Sequence, residues 1–343
     1  MVKIFDPLAD DRPSNRKIFY GETSNLMHLS EIKYGWATSI YKKMREDFWI
    51  PEKVNLSEDT VSYGLLTEQE RTAYDGILSY LTFLDSVQFA NIPIIKLAVT
   101  APEVGLAMGE QISQEGLHSS SYQYLIESVI PTNRWGYIYN LHKEDKILGD
   151  RCAYIGNIYQ KYAVDPTPEN LFVSLIANFL LESIYFYNGF QFYYLLASRQ
   201  LMSGTSDMIR YINRDELGHV RLYAKIINEV MMTKSLPFDR DQIYGMFDYA
   251  VQHEIEWTNH IMNNNVLGIT SISTDIYTKQ LANGRLKEIG LDPLYPEERY
   301  KTNPYQHLSA IADSSKEANI KPNFFESTVT NYNTFNVVKN WDF

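Results

Sequence analysis

Of the seven histidines in the chain, two carry a glutamate three positions earlier: Glu115-Gly116-Leu117-His118 and Glu216-Leu217-Gly218-His219. On a helix, residues three apart share a face about one turn apart, so each pair can offer a carboxylate and an imidazole to one metal ion. One such pair is commonly a surface coincidence. Two, each inside an apolar helical pattern, are harder to dismiss. Helical bundles that hold two metal ions use this device, with a Glu-x-x-His from each of two helices and one carboxylate from each of two others. The two lone carboxylates are also legible. Glu182 is the one charged residue between Leu171 and Ala197, where an unpartnered ionised acid would cost several kcal/mol. Asp85 interrupts the apolar run Leu81-Thr82-Phe83-Leu84-Asp85-Ser86-Val87. Taken singly, either acid has an ordinary explanation: a hydrogen bond to a tyrosine hydroxyl, or pairing with an arginine such as Arg210. Taken together, four carboxylates and two imidazoles balance two divalent cations, in the oxygen-rich ligation that suits iron or manganese.

The remaining histidines, His28, His142, His253, His260 and His307, have no acid at the ligand spacing and read as surface or structural residues. Tyr122 stands four residues past His118, one turn along the same face. A phenol beside an oxidising metal pair is a one-electron donor; with 26 tyrosines in the chain, the plain alternative is another core phenol. Phe186 and Phe190 follow Glu182 by one and two turns, and Ile212 precedes Glu216 by one. That spacing predicts a dry, unreactive pocket around the phenol.

Long helices must position these groups. Helical periodicity dominates the chain, and no strand alternation runs beyond a few residues. The pattern predicts an all-α protein with helices over roughly 30–48, 67–92, 102–129, 133–162, 168–200, 205–231, 240–262 and 273–288. Thr100-Ala101-Pro102-Glu103 and Thr167-Pro168-Glu169 place a proline in the first turn with an acid beside it, which the helix dipole favours. Ser203-Gly204-Thr205-Ser206-Asp207 offers a choice of N-caps, and Lys234-Ser235-Leu236-Pro237-Phe238 reads as a connecting loop. Runs such as Tyr185-Phe186-Tyr187 and Phe192-Tyr193-Tyr194 bury phenols whose hydroxyls need partners, so the core should hold polar networks.

At 343 residues the chain allows one large domain or two smaller ones. A net charge of −11 argues against a nucleic-acid partner, which calls for a basic stripe. The single Cys152 excludes an internal disulfide and a cysteine-based zinc site, and suits a reducing compartment. The segment Met1-Val2-Lys3-Ile4-Phe5-Asp6-Pro7 reaches Asp and Pro before any apolar run; no signal peptide is read, and a cytoplasmic protein is expected. Leu171–Ala197 is long enough to span a bilayer. However, Ser174, Asn178 and Glu182 recur on one face and neither end has a basic flank, so the segment reads as the centre of a bundle and no membrane span is expected. The expected division is a helical domain over 1–311 and a flexible tail over 312–343. That tail keeps Phe324, Phe325, Tyr332, Phe335, Trp341 and Phe343, suited to folding back on the body or to anchoring in a partner's groove.

Several stretches are more specific. They are Phe48-Trp49-Ile50-Pro51-Glu52, Leu84-Asp85-Ser86, Glu115-Gly116-Leu117-His118-Ser119-Ser120-Ser121-Tyr122, Leu181-Glu182-Ser183-Ile184-Tyr185-Phe186-Tyr187, Arg214-Asp215-Glu216-Leu217-Gly218-His219 and, in the tail, Phe324 to Tyr332. From about Arg16 to the C-terminus the chain resembles the small, radical-generating subunit of class I ribonucleotide reductase, of the tyrosyl-radical type. The resemblance implies a ferritin-like helical bundle that forms a homodimer. It implies that Asp85, Glu115 and His118 ligate one metal, and Glu182, Glu216 and His219 the other, with Glu115 and Glu216 bridging. Tyr122 would be the stable radical, formed with oxygen as the oxidant. Asp215 would orient His118 and link it to Trp49, and Tyr332 would pass the oxidising equivalent to the large, catalytic subunit. Trp341-Asp342-Phe343 would dock there. The implied cofactors are two metal ions, a di-iron centre with a di-manganese centre as the alternative, together with the tyrosyl radical. Ribonucleotides would be reduced in the partner, which fits the lack of a phosphate-cradling Gly-rich loop in the sequence.

Tyr122 sets the chain apart from family members without the phenol. About 48 residues precede Trp49, so the N-terminal regulatory domain that some members carry is not expected. Two other readings compete. A di-iron hydroxylase or oxidase on the same bundle usually has Glu in place of Asp85 and needs neither the Trp49–Asp215 pair nor a tail tyrosine. A ferritin-like storage protein would handle iron without sustaining a radical.

Overall fold

The computed structural model describes residues 4–313, so Tyr332 and nearly all of the expected tail lie outside the described residues. In chain order the helices are α1 (Gly35–Glu46), α2 (Asp59–Leu65), α3 (Glu68–Lys96), α4 (Pro102–Val129), α5 (Thr132–Glu144), α6 (Lys146–Val164), α7 (Pro168–Leu180), α8 (Tyr187–Ser198), α9 (Ser203–Thr233), α10 (Arg240–Met262), α11 (Ser271–Glu288) and α12 (Ser309–Ala312). Among the described residues the β pairing is a single isolated bridge between Phe19 and Val99. The expectation of an all-α bundle holds. Its centre is α3 packed on α4, with α9 against α4 and the α7–α8 segment against α9.

Local chemistry accounts for the helix ends. Thr67 and Glu70 form a reciprocal capping box at the start of α3, with bonds of 3.2 and 2.9 Å. Thr167 accepts from the Asn170 N–H at 3.3 Å to start α7. The segment expected as one helix over 133–162 is two. Asp145 stops α5 and caps α6 by accepting from Leu148 N–H at 3.0 Å, a local bond that competes with continuing the helix. Helix α2 was not anticipated, and it supplies the cap for another element. None of the Ser203–Asp207 side chains caps α9. Met202 takes a left-handed conformation (φ 54°) at that end, and buried Asp59 of α2 accepts from Gly204 N–H, Thr205 N–H and Thr205 Oγ1 at 3.1, 2.6 and 2.7 Å.

The apolar segment expected over 168–200 is also interrupted. Between α7 and α8 the ladder widens into a π turn over Leu181–Tyr185. This stretch, Pro168–Ser198, is among the described residues the one helical segment long and apolar enough to cross a membrane, and 89% of its apolar window is buried inside the bundle. The expected polar networks are present. Tyr63 donates to Asp75 at 2.8 Å, Tyr74 bonds Thr205 at 2.9 Å, Arg151 donates to Tyr80 at 2.7 Å, and Tyr159 donates to Gln88 at 2.8 Å. The hydroxyls of Tyr122, Tyr187 and Tyr223 are buried with no hydrogen-bond partner.

Candidate metal centre

Four elements converge on one point. Asp85 comes from α3, Glu115 and His118 from α4, Glu182 from the π turn, and Glu216 and His219 from α9, and all six are fully buried. Donor atoms of Asp85, Glu115, His118 and Glu216 lie within 4.8 Å of one another, as do those of Glu115, Glu182, Glu216 and His219. The two groups share Glu115 and Glu216. His118 Nδ1 lies 3.0 Å from Glu216 Oε1. His219 Nδ1 lies 2.8 Å from Glu216 Oε2, 3.3 Å from Glu115 Oε1 and 3.5 Å from Glu182 Oε2. One ring nitrogen cannot hydrogen-bond three carboxylates at once. Neighbouring ligands of one small cation stand roughly 3 Å apart when each lies about 2.0–2.2 Å from it.

The donor set fits cations by a second criterion. Both oxygens of Asp85, Glu115 Oε2, Glu182 Oε2, Glu216 Oε1 and His118 Nδ1 are buried with no hydrogen-bond partner. Buried polar atoms are ordinarily satisfied, and uncompensated buried carboxylates are costly. The cluster is suited to a di-metal site. Burial is the main force on its carboxyls. It pushes Asp85 up to about 7, and burial together with repulsion from Glu182 raises Glu115 and Glu216 well above the usual range. Burial acts on Glu182 in the same direction, but His219 and hydrogen bonds from neighbours, Gln88 among them, outweigh it and hold that carboxyl low.

Amides surround the donors. Gln111 Nε2 donates to Glu182 Oε1 at 2.8 Å and to Glu115 Oε1 at 3.1 Å. Gln88 Nε2 donates to Glu182 Oε1 as well, and Tyr159 fixes that amide from behind. Gln114 Oε1 lies 3.0 Å from His219 Nε2. Asn178, the one amide of this shell singled out by the sequence pattern on the face of Glu182, accepts from Gln88 Nε2 at 2.9 Å and lies 3.5 Å from Glu182 Oε1. Gln111 could have been found by the same rule, since it stands one turn before Glu115.

Of the other expected site residues, Asp215, Trp49 and Tyr122 fall close by. Asp215 Oδ2 accepts from Trp49 Nε1 at 2.8 Å and lies 3.3 Å from His118 Nε2. The Trp49 indole is stacked on Tyr211, with ring centres 5.3 Å apart. Tyr122 is fully buried, and its hydroxyl faces the Asp85 carboxyl without closing an ordinary hydrogen bond. Burial, with the negative charge of Asp85 next in weight, lifts this phenol well above its usual value, so it is neutral at any physiological pH. Phe186, Phe190 and Ile212 are fully buried, and the two phenylalanine rings stack 5.6 Å apart. Arg210 pairs with Asp207 at 2.9 Å, not with Asp85 or Glu182. Of the histidines read as structural, His260 pairs with Asp145 at 2.6 Å and His253 bonds the Tyr249 carbonyl at 2.8 Å.

The chain as a whole has known relatives. The family described as "Ribonucleotide reductase, small chain" matches residues 26–304. The chain belongs to that family. It is 35% identical to the ribonucleoside-diphosphate reductase subunit beta of Treponema pallidum over 96% of this chain and 94% of that one. Among solved structures it resembles the ribonucleotide reductase R2 subunit from Clostridium botulinum, with a TM-score of 0.87 and 37% identity over 91% of this chain and 98% of that one. The dimanganese(II)-NrdF of Streptococcus sanguinis, at 19% identity, a TM-score of 0.71, and coverage of 82% and 98% of the two chains, shares the fold.

Proposed function

We propose that this chain is the radical-generating small subunit of a class I ribonucleotide reductase, working with a large subunit that reduces ribonucleoside diphosphates to deoxyribonucleotides. The observation that carries the reading is the pair of donor groups sharing Glu115 and Glu216, with a buried, unpartnered Tyr122 hydroxyl turned toward one of the donors. In the proposed assignment Asp85, Glu115 and His118 would hold one ion and Glu182, Glu216 and His219 the other, with Glu115 and Glu216, members of both donor groups, serving as the bridging carboxylates. Bound there, two metal ions with oxygen supply the one-electron oxidation of a neighbouring phenol. Iron is the first choice and manganese the alternative, because both accept this ligand set.

The residues of the chain do the rest. Tyr122 gives up an electron and a proton, and Asp85 is the acid that its hydroxyl faces. Phe186, Phe190 and Ile212 keep the surrounding core dry, which preserves the radical. Trp49, Asp215 and His118 form a continuous line of contacts from the donors to a tryptophan near the surface. Tyr332 extends that route to the large subunit, and the segment ending in Trp341-Asp342-Phe343 anchors the complex. The subunit acts as a homodimer in the cytoplasm.

Electron paramagnetic resonance on metal-free protein reconstituted with ferrous iron and oxygen, beside metal analysis, tests this reading. Two ions per chain and a tyrosyl signal are expected, with the signal absent and the ions retained in Tyr122→Phe. A signal obtained under manganese and not under iron keeps the family role and changes the cofactor. No radical under either metal sinks the proposal. Removing residues 324–343 is expected to leave the metals and radical intact and to abolish turnover with the large subunit. Full turnover without them removes the tail from the mechanism.

A further inference from the structure

Glu182 reaches the centre from a π turn, and that turn is held by a residue outside the donor set. Widening the ladder over Leu181–Tyr185 inserts one residue into it. Closing the turn into regular α-helix would rotate everything on one side of it by about 100° relative to the other. Glu182 and the Phe186–Phe190 face could not then both point as they do. A turn that interrupts the regular ladder needs donors for its carbonyls inside an apolar core.

Arg285, on α11, supplies one. Its Nε donates to the Ser183 carbonyl at 3.3 Å. Its guanidinium lies 5.1 Å from the centre of the Tyr187 ring, just past the turn. On the outer side Nη1 pairs with Glu288 at 2.7 Å. Arg285 is 8% exposed, and a guanidinium is costly to bury unless charge and hydrogen bonds answer it. Its contacts go to the turn and to Glu288, so the arginine spans from the protein surface to the backbone beside a metal donor.

We propose that Arg285 is a positioning residue: it locks the π turn in the register that aims the Glu182 carboxylate at the ion shared with His219. The inference rests on the two-metal reading above. Its signature is selectivity, because Glu182 belongs to one ion's donor group and Asp85 to the other's.

The test is Mn(II) binding to the metal-free full-length chain, by equilibrium dialysis with metal analysis. Glu182→Ala and Asp85→Ala identify which binding event belongs to which site. In Arg285→Met the Glu182–His219 site should weaken by about tenfold, the size of effect seen when a partner behind a ligand is lost, while the Asp85–His118 site is unchanged. Arg285→Lys keeps the charge and one donor, and should regain most of that affinity. Equal weakening at both sites in step with a lower melting temperature overturns the proposal, and so does no weakening at either. Should Arg285→Met not fold, Arg285→Lys decides alone: its shorter reach predicts a small loss confined to the same site, and no loss there overturns the inference. Fewer than two ions in the wild type sinks the two-metal reading and this inference together. Two ions in the wild type with unaltered variants sinks this inference alone.

Discussion

Trp49 and Tyr122 are both buried aromatics within reach of the donors, yet their surroundings differ. Tyr122 has no hydrogen-bond partner, whereas the Trp49 indole N–H is committed to Asp215, which also touches His118. In the proposed route, that contrast is the reason for assigning the held oxidised state to Tyr122 and its passage to Trp49. Trp49→Phe keeps an aromatic ring at the position and removes its N–H. Metal uptake and the Tyr122 signal should survive, while turnover with the large subunit falls to background; a Trp49→Phe protein that still turns over would remove this tryptophan from the route. At this scale the six donors and Tyr122 were legible because ligand spacing on a helix is rigid, and because an acid alone in an apolar run has few explanations. The amides were not. Gln88 and Gln111 sit on buried helical faces, where a glutamine has many ordinary uses, and only the geometry shows both directed at Glu182.

Elements were legible where the cause lies within a few residues and obscure where it comes from elsewhere in the chain. The proline-led starts of α4 and α7 were readable. The start of α9 was not, because its cap is Asp59, more than a hundred residues earlier. The π turn escaped for another reason: a single inserted residue shifts a helical pattern no more than ordinary irregularity does. Asp59 offers a test of the long-range cap. Asp59→Ala strands the Gly204 and Thr205 backbone N–H groups in a buried setting, at about 1–3 kcal/mol for an unsatisfied group, while the Thr205 hydroxyl keeps Tyr74. A stability loss of about 2–3 kcal/mol by denaturant unfolding is expected, with Asp59→Asn milder because its carboxamide keeps one acceptor. Wild-type stability in Asp59→Ala would mean that α9 starts without help from α2.

For the molecule as a whole, the buried carboxyls of the centre couple folding to protons and, in the proposed assignment, to metal. Burial holds Asp85 up at about 7 and keeps Glu115 and Glu216 well above the usual range. A carboxyl raised in the folded state keeps a proton that the unfolded chain has released. Its contribution to stability is complete below the unfolded value of about 4 and is lost as pH rises through the folded value. For Asp85 that window runs from about 4 to about 7, and Glu115 and Glu216 extend the decline upward. Glu182 is held low and works with the opposite sign, its contribution lost only as pH falls below the ordinary carboxylate range. Between about pH 5 and 8 Glu182 is ionised in both states, so the three raised carboxyls make the metal-free protein less stable as pH rises. Divalent ions replace the protons on these carboxyls, so uptake should release protons and flatten that dependence. It should also add stability, about 4 kcal/mol when free metal exceeds its dissociation constant a thousandfold. Melting temperatures at pH 5 and 8, with chelator and with Mn(II), measure the first effect. Calorimetric titration in two buffers of different ionisation enthalpy counts the protons released. A melting temperature that climbs with pH in chelator, or a binding heat indifferent to the buffer, would show that the carboxyls are already ionised in the metal-free fold and that something other than protons balances their charge.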